Sequence, residues 1–196
     1  MGSGPEVIVI GGGVYGTSTA YHLASKGCRD VLLLEARDIG SQSTSQAAGF
    51  VRVLRTSPLM TRMAQYAIEA FERFSAETGH DIGFRQPGAF LVALGAESAA
   101  RLRGWTERGA RFGVVSRLIP LEEVRERLPL LETGDVRAVA YEPRDAYLEP
   151  AEVAIGYARA AAARGVQIAT GRSARAIEVE GGRVVAVRTD RDRLAA

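Results

Sequence analysis

The chain has 196 residues, 46% hydrophobic and 24% charged, a balance that suits a globular protein of one large or two small domains. The net charge of +2 is small, and its arginines are interleaved with acids (Glu122, Glu123, Arg125, Glu126, Arg127) as on solvated helix faces, so nucleic acid is not an expected partner. A single cysteine, Cys28, excludes an internal disulfide, no apolar run approaches the roughly 20 residues of a membrane span, and no signal-peptide pattern opens the chain, which makes the cytoplasm the expected compartment.

Val7-Ile8-Val9-Ile10 is a continuous apolar run, as in a strand buried on both faces of a parallel sheet. A helix is predicted from Val14 to Lys26, with Ala20, Leu23 and Ala24 on one face and Gly27 as its stop. Val31-Leu32-Leu33-Leu34 makes the second buried strand, and strand–helix–strand order requires a parallel pair with a right-handed crossover. Between Ile39 and Gly49 the chain turns to Ser, Thr, Gln, Ala and Gly, a loop composition.

Ser57-Pro58 opens a helix that runs to Thr78 with Met63, Ala67, Phe71 and Phe74 as its core stripe. Phe84 to Leu94 reads as a strand pair broken at Pro87-Gly88, and Ala96 to Arg108 as a helix closed by Gly109. A short helix over Leu121–Leu128 precedes two strands, Val136–Tyr141 and Ala146–Leu148. Pro150 starts an alanine-rich helix ending near Arg164, and Val166–Ala169 is a further buried strand. Ala174–Val179 and Val184–Val187 form a hairpin across Glu180-Gly181-Gly182, after which the sequence stops where another strand would begin. The expected fold class is α/β: a Rossmann-like βαβ domain with an incomplete α+β segment inserted in it. Residues 5–57 and 149–196 are assigned to the nucleotide-binding domain and 58–148 to the inserted substrate or cap segment.

Gly11-x-Gly13-x-x-Gly16 is a weak signal alone, but here it follows a strand, opens a helix and precedes Glu35 at the end of the next strand. Gly11 serves the tight turn, Gly13 lets a pyrophosphate approach the backbone, and Gly16 lets helix and strand pack closely. The helix N-terminus presents N–H groups and partial positive charge to phosphates. Glu35 suits adenosine ribose hydroxyls and repels a 2′-phosphate, which disfavours NADP. Both FAD and NAD use this unit. The loop Ser43-Thr44-x-x-Ala47-Ala48-Gly49 tilts the choice to FAD, with hydroxyl donors followed by backbone bare enough for a flat ring.

These motifs, with the stretch from Tyr141 through Pro150 to Thr189, resemble the FAD-dependent amine and amino-acid oxidoreductases of the D-amino acid oxidase type, which include glycine oxidase, sarcosine oxidase and dimethylglycine dehydrogenase. The resemblance covers nearly the whole chain, loosely in the middle. It implies that Val14 and Tyr15 line the pyrophosphate turn. Glu35 and Ala36 hold the adenosine ribose, with Arg37 beside them. Ser43 and Thr44 meet the phosphate and ribityl region, and Ala48, Gly49 and Phe50 pass near the flavin. Ala174 matches a position that meets adenine through its backbone. Gln46 stands where some members attach FAD through a histidine, which implies noncovalent FAD here. Arg52 and Arg55 match arginines near the flavin.

The implied reaction is hydride transfer from the Cα–H of a small amine or amino acid to the flavin. No residue is assigned a catalytic role: His22 and His80 are unconvincing bases, and metal-ligand spacing is absent. Members of the family are about twice this length, so a truncated chain, or one completed by a partner chain, is expected. The alternatives are an NAD-linked Rossmann oxidoreductase and a non-catalytic FAD-binding subunit.

Overall fold

The computed structural model describes residues 4–195. The chain divides into two compact units, one running to Gly49 and taking in Arg73–Gly83 and the residues from Glu149 on, the other made of Phe50–Glu72 and Phe84–Leu148.

In the first unit Val7–Ile10 forms strand β1, Val14–Ser25 helix α1 and Val31–Leu34 strand β2. After the second unit's elements, Pro150–Ala162 forms α5, Gln167–Ala169 β8, Ala174–Glu180 β9, Arg183–Thr189 β10 and Arg193–Ala195 β11. The strands β1, β2 and β8 make one parallel sheet in the order β1-β2-β8, so the late helix and strand do return to the first sheet. Every residue of the central β2 is buried, as its unbroken apolar run requires. β1 is different: it lies at an edge and Ile10 is 47% exposed, against the expectation of a strand covered on both faces.

On one side of this sheet α1 packs against α5. The α1 face is Thr17, Ala20 and Tyr21 rather than Ala20, Leu23 and Ala24, because Tyr21 stacks with Tyr157 of α5, ring centroids 5.2 Å apart. On the other side Leu32 and Leu34 share a core with Val187 of the antiparallel sheet β11-β10-β9. The expected hairpin is therefore two strands of a three-stranded meander, whose third strand, Arg193–Ala195, lies in the stretch after Thr189 where a further strand was expected only to begin.

In the second unit Phe50–Val51 forms β3, Ala89–Ala93 β4, Ala96–Arg111 α3, Arg117–Ile119 β5, Leu121–Arg127 α4, Ala138–Glu142 β6 and Ala146–Tyr147 β7. Its sheets are antiparallel, β4-β6-β5 and β3-β7. Helix α2, Pro58–Thr78, starts in this unit, and its last turns belong to the first. The buried positions of α2 are Thr61, Ile68 and Phe74. Phe74 is buried as expected and Phe71 meets the Phe84 ring, whereas Met63 is exposed and Ile68 takes part instead.

Phe84–Leu94 contains only one strand. Arg85 makes an isolated bridge to Tyr147, and β4 pairs with β6 instead of folding back on Phe84. Gly109 does not stop α3. It is buried inside the helix, where a Cβ would stand 3.0 Å from Ser116 Cβ and 3.1 Å from the Val114 carbonyl oxygen. The helix ends two residues later, before Gly113 at φ +70°. β5 was not foreseen.

Candidate functional site

The site is built where β1 turns into α1. Gly11 adopts φ +106°, open to glycine at little cost, and its N–H donates to the Leu34 carbonyl oxygen at 2.8 Å, tying the turn to β2. A Cβ on Gly16 would run into the Gly11 carbonyl oxygen, so the loop closes on itself only with glycine there. Gly13 is the N-cap of α1, extended and without a side-chain cap. A Cβ on it would stand 3.0 Å from Thr44 Oγ1.

The N–H groups of a helix's first turn have no partner within the helix. Val14 N–H donates to Thr44 Oγ1 at 3.1 Å, and Thr17 Oγ1 returns to the Gly13 carbonyl oxygen at 3.1 Å. No acidic side chain occupies the first turn, so its partial positive charge is not neutralised locally. A cavity of about 360 Å³ lies here, lined by Gly11, Gly13, Val14, Tyr15 and Gly16 with Ile10, Glu35, Gln42, Ser43 and Thr44.

Glu35 is 7% exposed and accepts one backbone hydrogen bond on each oxygen: Oε2 from Gly12 N–H at 2.5 Å and Oε1 from Arg37 N–H at 2.7 Å. Gly12 was not singled out from the sequence, yet a Cβ there would meet Ile39 Cδ1 at 2.6 Å and the Glu35 side chain at 2.9 Å. The glycine triplet Gly11-Gly12-Gly13 was the available signal. The Ile39–Ala48 loop is a run of hydrogen-bonded turns. Gly40 N–H donates to the Gly12 carbonyl oxygen at 2.9 Å, and Ser45 N–H to that of Gly40 at 3.0 Å. With its amide set to satisfy both groups, Gln42 accepts from Arg37 Nε at 2.8 Å.

The cavity thus gathers Gly11, Gly13, Val14, Tyr15, Gly16, Glu35, Ser43 and Thr44. Ala36, Arg37, Gln46, Ala48 and Gly49 belong to the same unit but do not line it. Ala174 opens β9 and packs against the Leu32, Leu34 and Val187 core. Phe50, Arg52 and Arg55 are in the second unit.

Arg52 sits in a polar cluster that the sequence did not disclose. Its Nη2 lies 3.2 Å from Glu142 Oε2 and its Nε 3.4 Å from Asp145 Oδ2. Glu142 Oε1 also accepts from Trp105 Nε1 at 2.5 Å and Ser116 Oγ at 3.1 Å, and Asp145 Oδ1 accepts from Val53 N–H at 2.8 Å. Burial pushes the Asp145 carboxyl up to about 7, with the neighbouring Glu142 charge adding to the effect and Arg52 opposing it. The available signal was an acid at the end of the otherwise apolar strand β6, Glu142, with a second, Asp145, in the turn that follows it. Among the described residues no group of His, Cys, Asp or Glu could hold a metal, and no helix is long and apolar enough to cross a membrane.

The family model described as FAD dependent oxidoreductase matches residues 6–196. The chain is similar to the mitochondrial pyruvate dehydrogenase phosphatase regulatory subunit of Mus musculus, 33% identical over 96% of this chain and 22% of that one. It is likewise 33% identical to the mitochondrial dimethylglycine dehydrogenase of Rattus norvegicus, over 82% of this chain and 19% of that one. Among solved structures, L-proline dehydrogenase from P. horikoshii superposes with a TM-score of 0.91 at 27% identity, over 100% of this chain and 51% of that one. The chain therefore spans about a fifth of these curated relatives and about half of the solved one.

Proposed function

The chain belongs to the family of FAD dependent oxidoreductases, and from that premise we propose that it carries the FAD-binding part of an enzyme that oxidises the C–N bond of a small amine or amino acid. One observation carries the cofactor assignment: a bare glycine turn, a helix N-terminus without an acidic side chain and a cavity of about 360 Å³ coincide at Gly11–Gly16. That cradle fits a pyrophosphate: Gly13 and Thr44 line it together, and a Cβ on Gly13 would already crowd Thr44 Oγ1 at 3.0 Å.

FAD, when bound, supplies the acceptor for a hydride from the carbon next to nitrogen. The protein's part is to hold and orient. The first-turn N–H groups of Tyr15 and Gly16 would hold the phosphates, and Thr44, which accepts from Val14 N–H, would offer them its hydroxyl. Glu35 uses one lone pair of each oxygen on the loop and keeps the others for ribose hydroxyls. Its charge is unfavourable to a 2′-phosphate. Gln46 has no ring nitrogen to bond the flavin, which supports noncovalent binding. Arg37, Ala36, Ser43, Ala48, Gly49, Phe50 and Ala174 keep the cofactor-facing roles that the family resemblance implies, as do Arg52 and Arg55 near the ring. The substrate class follows the relatives named for dimethylglycine and L-proline. The cytoplasmic reading rests on the lone Cys28 and has no support from the relatives, two of which are named as mitochondrial.

The test is a visible spectrum and fluorescence titration of the 196-residue chain with FAD. Saturable binding is expected, weakened at least ~10-fold in Gly13→Val, whose side chain fills the cradle. A chain that leaves the flavin spectrum unchanged at every concentration defeats the reading. Anaerobic bleaching of the bound flavin by dimethylglycine or L-proline then tests the substrate class. A second reading, a non-catalytic FAD-binding subunit, is favoured by the alignment of 96% of this chain with a protein named as a regulatory subunit. A flavin that binds and is never bleached supports that second reading.

A further inference from the structure

The Arg52 cluster of the second unit holds two buried carboxylates against one nearby guanidinium. Asp145 is fully buried and Glu142 is 1% exposed, while the Arg52 side chain is 29% exposed. Three donors converge on Glu142, from Arg52, Trp105 and Ser116, as on an ionised carboxylate. Asp145 has one, the Val53 N–H on Oδ1. Its Oδ2 is buried and accepts no hydrogen bond, with the nearby Arg52 Nε misdirected and itself unpartnered. A carboxylate oxygen without a donor is costly to bury, but a protonated one beside an ionised carboxylate has an acceptor at hand.

Among the described residues no cation other than Arg52 makes an ion pair with Glu142 or Asp145. Arg108 of α3 lies over the Trp105 ring, 5.4 Å from its centroid, and Arg144, the chain neighbour of Asp145, is drawn to Glu72 at 3.1 Å. From the segment before α2 comes Arg52 and from β6 Glu142. Ser116, before β5, and Trp105 reach the pair only through Glu142. Desolvation, the main cause of the upward shift to about 7, agrees with this geometry.

Beside the pair is a cavity of about 220 Å³ lined by Arg52, Leu54, Arg55, Thr56, Met60 and Trp105. Arg52 and Arg55 give the cavity lining two positive charges, and Arg52 ties it to the acid pair behind it. With Asp145 neutral one negative charge opposes them, and with Asp145 ionised two do. We propose that Asp145 is a proton switch on the charge of this cavity: near neutral pH it holds a proton directed at Glu142 and leaves the cavity cationic, and releasing that proton to solvent along Arg52 makes the cavity neutral. Its observations all lie within the second unit, and its test uses the chain without flavin, so it can fail while FAD binding holds, and hold while FAD binding fails, although Arg52 and Arg55 enter both readings.

Trp105 is the only tryptophan of the chain and lines the cavity, so its fluorescence reads the switch directly. Quenching of the full chain by iodide, an anion, is compared with quenching by neutral acrylamide from about pH 5.5 to about pH 8.5. Iodide quenching is expected to fall about two-fold through the neutral range while acrylamide quenching stays level. In Asp145→Asn iodide quenching should stay high and flat. An iodide response independent of pH, or one that persists unchanged in the variant, overturns the proposal. Should the variant not fold, the wild-type infrared difference spectrum decides. A protonated-carboxyl carbonyl band present at about pH 6 and lost by about pH 8.5 is expected, and its absence at the lower pH overturns the proposal.

Discussion

Glu35 and Asp145 are both buried acids, and their neighbours hold them in opposite ways. Glu35 receives a backbone N–H on each oxygen, from Gly12 and Arg37. Asp145 receives one and faces a second carboxylate. For Asp145 the sign of the pH dependence follows. Its carboxyl sits at about 7 in the folded chain and near about 3.9 in the unfolded one, so the folded state binds the extra proton between those values. Stability from this residue is therefore fullest below about pH 4 and falls as pH rises to about 7, by up to a few kcal/mol at about 1.4 kcal/mol per unit. Asp145→Asn keeps the acceptor for Val53 and adds an N–H donor toward Glu142. Urea unfolding at pH 5 and pH 8 should show wild type losing stability relative to the variant across that interval. Parallel curves for the two proteins would refute it. At this scale the sequence foretold that Gly11, Gly13, Gly16 and Glu35 meet at one turn, because their spacing is local. It was silent on Glu142 and Asp145, whose partners lie 90 and 92 residues away along the chain.

Two helical glycines set element-scale predictions, since a Gly→Ala change in a helix favours folding by about 1 kcal/mol unless the new methyl has no room. Gly104 of α3 has nothing within 4 Å of its Cβ position, so Gly104→Ala should stabilise by roughly 0.4–1 kcal/mol. Gly156 of α5 would place a Cβ 2.6 Å from Phe74 Cε1 and 2.9 Å from the His80 ring. Phe74 is 1% exposed and cannot withdraw, so overpacking of about 1–3 kcal/mol should outweigh the propensity and destabilise Gly156→Ala. Thermal unfolding of the two variants reads both signs, and equal shifts would contradict the packing. The same contrast explains how α3 was misjudged. A glycine that ends a helix and one that admits a neighbour look alike in sequence. Gly27, Gly79 and Gly165 are true stops, whereas Gly109 is there for Ser116 and Val114. Likewise Met63 fits the apolar period of α2 but points away from the core, because the period leaves the facing side to the partners.

For the molecule as a whole, FAD that binds the native glycine loop and not the unfolded chain must stabilise it by mass action. At a free concentration of 100 times Kd the gain is about 2.7 kcal/mol, visible as a concentration-dependent rise in Tm. With the ribose-side role proposed for Glu35, whose charge would oppose a 2′-phosphate, NADP at the same concentration should give a smaller rise. A rise as large as with FAD would argue against that role for Glu35. The parallel order β1-β2, the crossover helix between them and the FAD family were all legible in the sequence by itself, since alternation of apolar runs, glycine spacing and one acid at a strand end are local and strongly constrained by backbone geometry. Only the tertiary structure decided that β11 completes a meander, that β4 pairs with β6, and that Arg52 is held between Glu142 and Asp145. Those outcomes depend on which distant segments meet, and burial, not sequence period, selects the polar groups that must find each other there.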